Sequence, residues 1–292
     1  MEIFDKTISI KKNSCNVLSI PGKPISASVN LFVKVTNSCN AHCSFCSNAL
    51  SSRGGQHFNT TKLFDIIHEI KSKEIFINRI NITGGEPSIV SPLVLDIIQR
   101  LISERLEDVH LHLNTNGLLP ESQELMRHRR WDSISISVHH YSAKRLSKLY
   151  GCQIPSVAFN FDGIDKQRIN VSCNLIKGYI DSLESINKML DFVLDLGIPR
   201  IGFVALMRIN EYCKDHFIDI DEFNLEDIPH VYFIQSMNRG LNCKCSNYLY
   251  NKHTQILEIY MRNYANPHYC ESSLVYDGEY LRQGFHGNNI IY

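Results

Sequence analysis

Three cysteines fall within eight residues in Cys39-Asn-Ala-His-Cys43-Ser-Phe-Cys46, a C-x3-C-x2-C run inside a stretch without hydrophobic period. Iron–sulfur clusters normally take four thiolates, so three on one short loop suit a [4Fe–4S] cluster whose fourth iron is left open to another ligand. Zinc prefers paired C-x2-C units with two further ligands, and the nearest spare donors are His42 and His57. A redox pair of Cys43 and Cys46 would leave Cys39 without a role. A second group, Cys243, Cys245 and Cys270, is spaced C-x-C-x24-C. It reads as an auxiliary iron–sulfur cluster with Cys213 as a further ligand, as a structural zinc completed by His253 or His268, or as buried thiols. Cys15, Cys152 and Cys173 read as ordinary small apolar residues.

These groups need elements to position them, and the elements are legible by period. Leu31 to Val35 is a short apolar strand running straight into the first cysteine loop. A helix follows, capped at Asn59 or Thr60, with Leu63, Phe64, Ile66, Ile67 and Ile70 on one side. Ile75 to Ile82 is a strand closed by Thr83-Gly84-Gly85-Glu86-Pro87. The next helix is expected to be capped by Ser91, with Pro92 in its first position. Three strands alternate apolar and polar residues: Val109, Leu111 and Leu113 with His110, His112 and Asn114; Ile134, Ile136 and Val138 with Ser135, Ser137 and His139; Val171, Cys173 and Leu175 with Ser172 and Asn174. A helix from about Asp181 to Leu196 precedes a sixth strand, Arg200 to Arg208.

Six strands separated by helices give a βα repeat with right-handed crossovers. Strands buried on both faces should be almost continuously apolar, so the polar rows are expected to line the inside of a curved sheet, the alternative being an open sheet with one wet face. The expected architecture is α/β: a partial (β/α)6 TIM-like barrel over residues 28–210, an N-terminal segment over 1–27, and a small cysteine-rich C-terminal extension over 211–292, where the βα rhythm is lost. The Asp277-Gly278 pair predicts a hairpin turn between Leu274-Val275-Tyr276 and Tyr280-Leu281.

The chain has 292 residues, 43% of them apolar, enough for one principal core. Thirty basic and thirty acidic residues cancel, so no global field draws the protein to nucleic acid or to anionic lipid. No run approaches the ~18 apolar residues of a membrane span. Clustered thiols suggest metal in a reducing compartment, and a cytoplasmic location is expected.

The cysteine loop after the first strand, with Phe45 before its third cysteine, resembles the signature of the radical S-adenosylmethionine (SAM) superfamily. Gly84-Gly85-Glu86-Pro87 and Asn114-Thr115-Asn116-Gly117 resemble that family's GGE and TNG motifs, and the likeness covers roughly Leu31 to Arg208. It implies that Cys39, Cys43 and Cys46 hold the cluster, that the open iron binds SAM, and that one-electron reduction yields a 5′-deoxyadenosyl radical. It implies contacts to SAM from Phe45, Gly84, Gly85, Glu86, Asn116, Ser135, Ser137 and Asn174, with Glu86 accepting from the SAM ammonium. It also implies a low-potential electron donor of the flavodoxin or ferredoxin type. The second cysteine group is similar in part to SPASM or twitch-type extensions and to molybdopterin-precursor synthase, with a spacing that matches none of them. The implied substrate is a ribosomally made peptide, or alternatively a nucleotide or other small metabolite; a non-catalytic iron–sulfur or zinc protein is the distant alternative. His139, His140 and Tyr141 are read as substrate contacts or loop packing, and Arg282, Gln283 and His286 as residues that close over the site. Trp131 is read as packing and Arg127 to Arg130 as a solvated face.

Overall fold

The computed structural model describes residues 2–8, 28–48, 57–156, 158–236, 244–252, 254–263, 273–284 and 289–292. A small hairpin, β1 (Glu2–Ile3) and β2 (Lys6–Thr7), precedes the repeat. The repeat runs β3 (Ser28–Lys34), α1 (Thr60–Ser72), β4 (Phe76–Thr83), α2 (Ser91–Ser103), β5 (Leu111–Thr115), α3 (Pro120–Arg127), β6 (Ser133–Ser137), α4 (Ala143–Tyr150), β7 (Ile169–Leu175), α5 (Leu183–Asp195), β8 (Arg200–Ala205) and the short α6 (Glu211–Asp215). Then come β9 (Val231–Ser236), β10 (Ser246–Lys252), β11 (Gln255–Asn263), β12 (Ser273–Tyr276) and β13 (Leu281–Gln283).

Helix ends follow local chemistry. Asn59 caps α1 by accepting from Lys62 N–H, and Ser182 caps α5 in a reciprocal capping box with Ser185. Ser91 does not cap α2 through its side chain. A 3-10 turn, Pro87–Val90, runs directly into that helix, and Glu86 caps the turn instead.

One sheet carries the order β13-β12-β3-β4-β5-β6-β7-β8-β11-β10-β9. Strands β3 to β8 pair in parallel, as the repeat requires. The run does not stop at six strands. β11 adds in parallel to β8 at one edge and β12 adds in parallel to β3 at the other. Residues after 210 therefore build both flanks of the same sheet, where a separate appendage was expected. The reason is that β11 folds back antiparallel on β10, so its sequence neighbourhood reads as a hairpin while its other edge completes the parallel wall. The Asp277-Gly278 turn does join β12 to β13, with Gly278 at φ 96°.

The two faces of the sheet divide as the alternation indicated. Leu31, Ile80, Leu111, Leu113, Ile134, Ile136, Val171, Cys173, Ile201 and Phe203 are fully buried against the helices, each such side chain contributing about 1.5–3 kcal/mol. The register aligns the other row across the strands: Asn30 with Arg79, Asn81 with His112, His112 with Ser133, Asn114 with Ser135, Ser137 with Ser172, Asn174 with Val204, and Val204 with Arg262. This polar row lines the inner face. Trp131 is packed in the core and its indole N–H donates to Leu125 O at 2.7 Å. None of the described helices is long and apolar enough to cross a membrane.

Candidate functional site

The cysteine loop leaves the C-terminal end of β3 and is stitched at once to the end of β4. Gly85 N–H donates to Thr36 O at 2.6 Å and Glu86 N–H to Ser38 O at 2.8 Å, while the Asn48 amide reaches Gly84 O. The glycine pair is dictated by this contact. A Cβ on Gly84, which sits at φ 147°, would lie 2.4 Å from Thr36 O, and one on Gly85 would lie 1.9 Å from Ser38 O. The close approach these glycines permit is to the cysteine loop itself.

Glu86 is 1% exposed. Its Oε1 accepts from Ser88 N–H at 3.1 Å, Ser88 Oγ–H at 2.8 Å and Thr115 Oγ–H at 2.7 Å, and its Oε2 accepts from Asn116 N–H at 2.7 Å. Ser122 Oγ bonds Ser88 Oγ behind it at 2.8 Å. Burial pushes this carboxyl above the usual carboxylate range, against the opposing pull of the Asn116 N–H, the Thr115 hydroxyl and the Ser88 hydroxyl and N–H. Glu86 thus joins the ends of β4 and β5 from below the loop. Neither Ser88 nor Ser122 was singled out from the sequence, since no motif marks a serine 34 residues from its partner.

Asn116 lies in the turn after β5. Its Nδ2 is 2.7 Å from Asn40 Oδ1 and 3.9 Å from Cys39 Sγ, and its Oδ1 accepts from Leu118 N–H at 3.0 Å. Cys39 Sγ also accepts from Ala41 N–H at 3.4 Å. The Cys43 thiol is pushed far above its ordinary pKa, first by burial and then by the fields of Cys46 and Cys39, which places the three thiols in one electrostatic neighbourhood.

The opposite wall is aromatic. Phe45 meets His139 edge to face with ring centres 4.8 Å apart, and His139 meets Tyr150 likewise at 5.7 Å. Phe45 belongs to a buried cluster with Leu149, Ile176, Leu206 and Cys213. The Cys213 thiol faces Phe45 O at 3.7 Å, and Asn210 Nδ2 donates to Ser44 O at 3.0 Å. His42 N–H donates to Tyr150 O at 2.6 Å, and the Tyr150 hydroxyl donates to Ser137 O. No motif marked Tyr150 in the sequence.

His139 Nδ1 accepts from Asn174 N–H at 3.0 Å, and burial lowers the His139 pKa to about 3. His140 Nδ1 accepts from Ser142 N–H at 2.8 Å, with its pKa lowered to about 4 by burial and then by Arg145. Both are neutral imidazoles at pH 7. Ser135 Oγ accepts from Asn170 Nδ2 at 3.2 Å, and Ser137 and Asn174 stand on the same inner row. Lower in the lumen, Ser133 Oγ lies 2.7 Å from His110 Nε2 and 2.6 Å from His112 Nδ1.

The C-terminal hairpin reaches this end of the sheet through Lys34, whose pKa is lowered by burial while Asp277, Cys46 and Arg282 all act on it. Arg282 Nε is 3.1 Å from Asp277 Oδ2. Of the second cysteine group only Cys245 is described: it is buried and its sulfur accepts from Asn263 N–H at 3.2 Å. Cys243, Cys270, His253, His268 and His286 lie outside the described residues.

The fit to an iron–sulfur cluster rests on donor chemistry. Among the described residues no three His, Cys, Asp or Glu side chains are already gathered to hold a metal ion. Cys39, Cys43 and Cys46 nevertheless share one loop, partly shielded from water, beside a buried Asn37 Oδ1 that has no partner among the described residues. Three soft donors on one loop suit a cluster that keeps an open iron.

The sequence profile of the radical SAM superfamily matches residues 33–202. A probable GTP 3′,8-cyclase of Methanocaldococcus jannaschii is 25% identical over 202 residues, 68% of this chain and 65% of the relative; the chain thus spans just under two thirds of that protein. One from Saccharolobus solfataricus is 25% identical over 256 residues, 85% of this chain and 78% of the relative. Among solved structures, a radical SAM methyltransferase from Sphaerobacter thermophilus superposes with a TM-score of 0.52 at 15% identity, covering 68% of this chain and 61% of that one. Streptococcus suis SuiB bound to precursor peptide SuiA superposes with a TM-score of 0.50 at 21% identity, covering 64% and 41%.

Proposed function

The chain belongs to the radical SAM superfamily, and from that premise we propose that it draws a hydrogen atom from a small polar substrate of the nucleotide class held in the barrel lumen. Radical SAM enzymes use a [4Fe–4S] cluster, SAM and a reductant. When bound, the cluster supplies the electron that splits SAM into methionine and a 5′-deoxyadenosyl radical.

Cys39, Cys43 and Cys46 would hold the cluster. Gly84, Gly85 and Glu86 fix their loop, the Asn116 amide faces the Cys39 sulfur, and Phe45, His139 and Tyr150 exclude water from its other side. Ser135, Ser137 and Asn174 offer hydroxyl and amide groups to SAM from the inner row. The nucleotide reading is carried by the composition of that row: Arg79, His112, Ser133, Asn170 and Arg262 share the inner face, and burial together with Arg79 keeps His112 neutral. Such a lumen offers donors and positive charge to sugar hydroxyls and phosphates. Relatives named GTP 3′,8-cyclase cover up to 85% of the chain, whereas the likeness to SuiB concerns the fold alone.

The test is anaerobic reconstitution, a count of iron per chain, and 5′-deoxyadenosine release with SAM and dithionite in the presence of individual purine nucleotides. Stimulation by one nucleotide is expected, and none in the Cys39, Cys43, Cys46 triple alanine variant. Stimulation by no nucleotide removes the substrate class. Reduced, cluster-loaded wild type that never cleaves SAM removes the enzymatic assignment of this chain.

A further inference from the structure

Glu86, Asn116 and the cysteine loop form a closed hydrogen-bonded circuit. Glu86 N–H goes to Ser38 O at 2.8 Å, Asn116 N–H to Glu86 Oε2 at 2.7 Å, and the Asn116 amide returns to Asn40 Oδ1 at 2.7 Å and Cys39 Sγ at 3.9 Å. The orientation of that amide is fixed by its far end. Leu118 N–H donates to Asn116 Oδ1 at 3.0 Å, so the NH2 group has to face the loop, with one N–H for the Asn40 oxygen and one for the sulfur. Ala41 N–H adds a second donor to the same sulfur at 3.4 Å. Among the described residues, no side chain donates to the sulfur of Cys43 or Cys46.

We propose that Asn116 is a positioning residue that singles out the Cys39 corner of the cluster, its side-chain N–H stabilising negative charge on that sulfur and raising the cluster's reduction potential. The proposal rests on Cys39 being a ligand, as argued above. Hydrogen bonds to ligand sulfurs are one of the levers by which proteins set iron–sulfur potentials, because the reduced cluster carries one more negative charge for the donor to stabilise. Glu86 acts behind it by holding the Asn116 backbone and the Ser38 carbonyl at once, so the donor and the thiol cannot drift apart independently.

The experiment is an EPR-monitored redox titration of the reconstituted full chain without SAM, with iron counted beforehand, for wild type, Asn116→Ser, Asn116→Ala and Asn40→Ala. Serine keeps a hydroxyl that caps the local turn but is too short to reach the sulfur. Both Asn116 variants should load iron as wild type does and show a lower potential. At a fixed poise their reduced-to-oxidised ratio should fall about three- to ten-fold, tenfold corresponding to ~59 mV for one electron. Asn40→Ala removes the competing oxygen, which also lies 3.9 Å from Cys39 Sγ, and should leave the potential at or above wild type. An unchanged potential in iron-replete Asn116 variants overturns the proposal. Failure of both to hold iron while Asn40→Ala holds it also overturns it, since the side chain then serves the fold of the loop. Wild type that loads iron yet never cleaves SAM under reduction counts against the enzymatic reading and leaves the titration result standing by itself.

Discussion

The cysteine loop is gripped from two sides by different means. Toward β4 and β5 it is held by directional bonds, to Gly85 and Glu86; toward α4 and α6 two bonds, His42 N–H to Tyr150 O and Asn210 Nδ2 to Ser44 O, are outweighed by rings and aliphatic groups, Phe45 against His139, Leu149, Ile176 and Leu206. Hydrogen bonds fix where atoms sit, whereas apolar contact tolerates small shifts while keeping water away. The polar side therefore sets the geometry of the thiols and the aromatic side sets their shielding.

Gly85→Ala should break the polar side most severely. The new Cβ would lie 1.9 Å from a backbone oxygen, so the loop must move, at a cost on the order of 3 kcal/mol; reconstituted protein should retain little iron while its far-UV circular dichroism stays native. Next in size is Glu86→Gln. One carboxylate oxygen becomes an NH2, which in either orientation of the amide faces a backbone N–H, that of Ser88 or that of Asn116, and leaving such a donor unsatisfied should cost about 1–3 kcal/mol in urea unfolding. Full stability in that variant would refute the role of Glu86 as the joint between β4 and β5.

The aromatic side carries a pH signature. The His139 pKa is lowered in the folded chain to about 3, against ~6.5 unfolded. A depressed folded pKa gives stability that is present above pH ~6.5 and is lost as pH falls toward 3, amounting to about 2 kcal/mol at pH 5. His139→Phe should flatten the acid limb of an apo-protein stability profile by about that much, and an unaltered limb would show that His139 is not buried neutral. The smallest effect is expected for Phe45→Leu. Loss of the edge-to-face contact with His139 costs about 0.5–1.5 kcal/mol, with iron content kept and the cluster lost faster in air.

Much of this protein was readable before its structure. The strand order of the repeat, the inner polar row of Ser135, Ser137 and Asn174, the core role of Trp131 and the Asp277-Gly278 hairpin all follow from period and turn chemistry, which act over a few residues. The grouping of the three thiols was readable for the same reason, since one short loop carries them all.

What the sequence alone determined is therefore local: which residues alternate, where helices start, and that Cys39, Cys43 and Cys46 stand together after the first strand of the repeat. Only the tertiary structure decided that Gly84 and Gly85 abut the cysteine loop, that Glu86 spends its carboxylate on Ser88, Thr115 and Asn116, that Tyr150 walls the site, and that β11 and β12 join opposite edges of one sheet. Those facts are contacts between segments far apart in the chain, and no local period records them. They exist because a buried carboxylate must find donors and a sheet edge must find a partner wherever the fold places them.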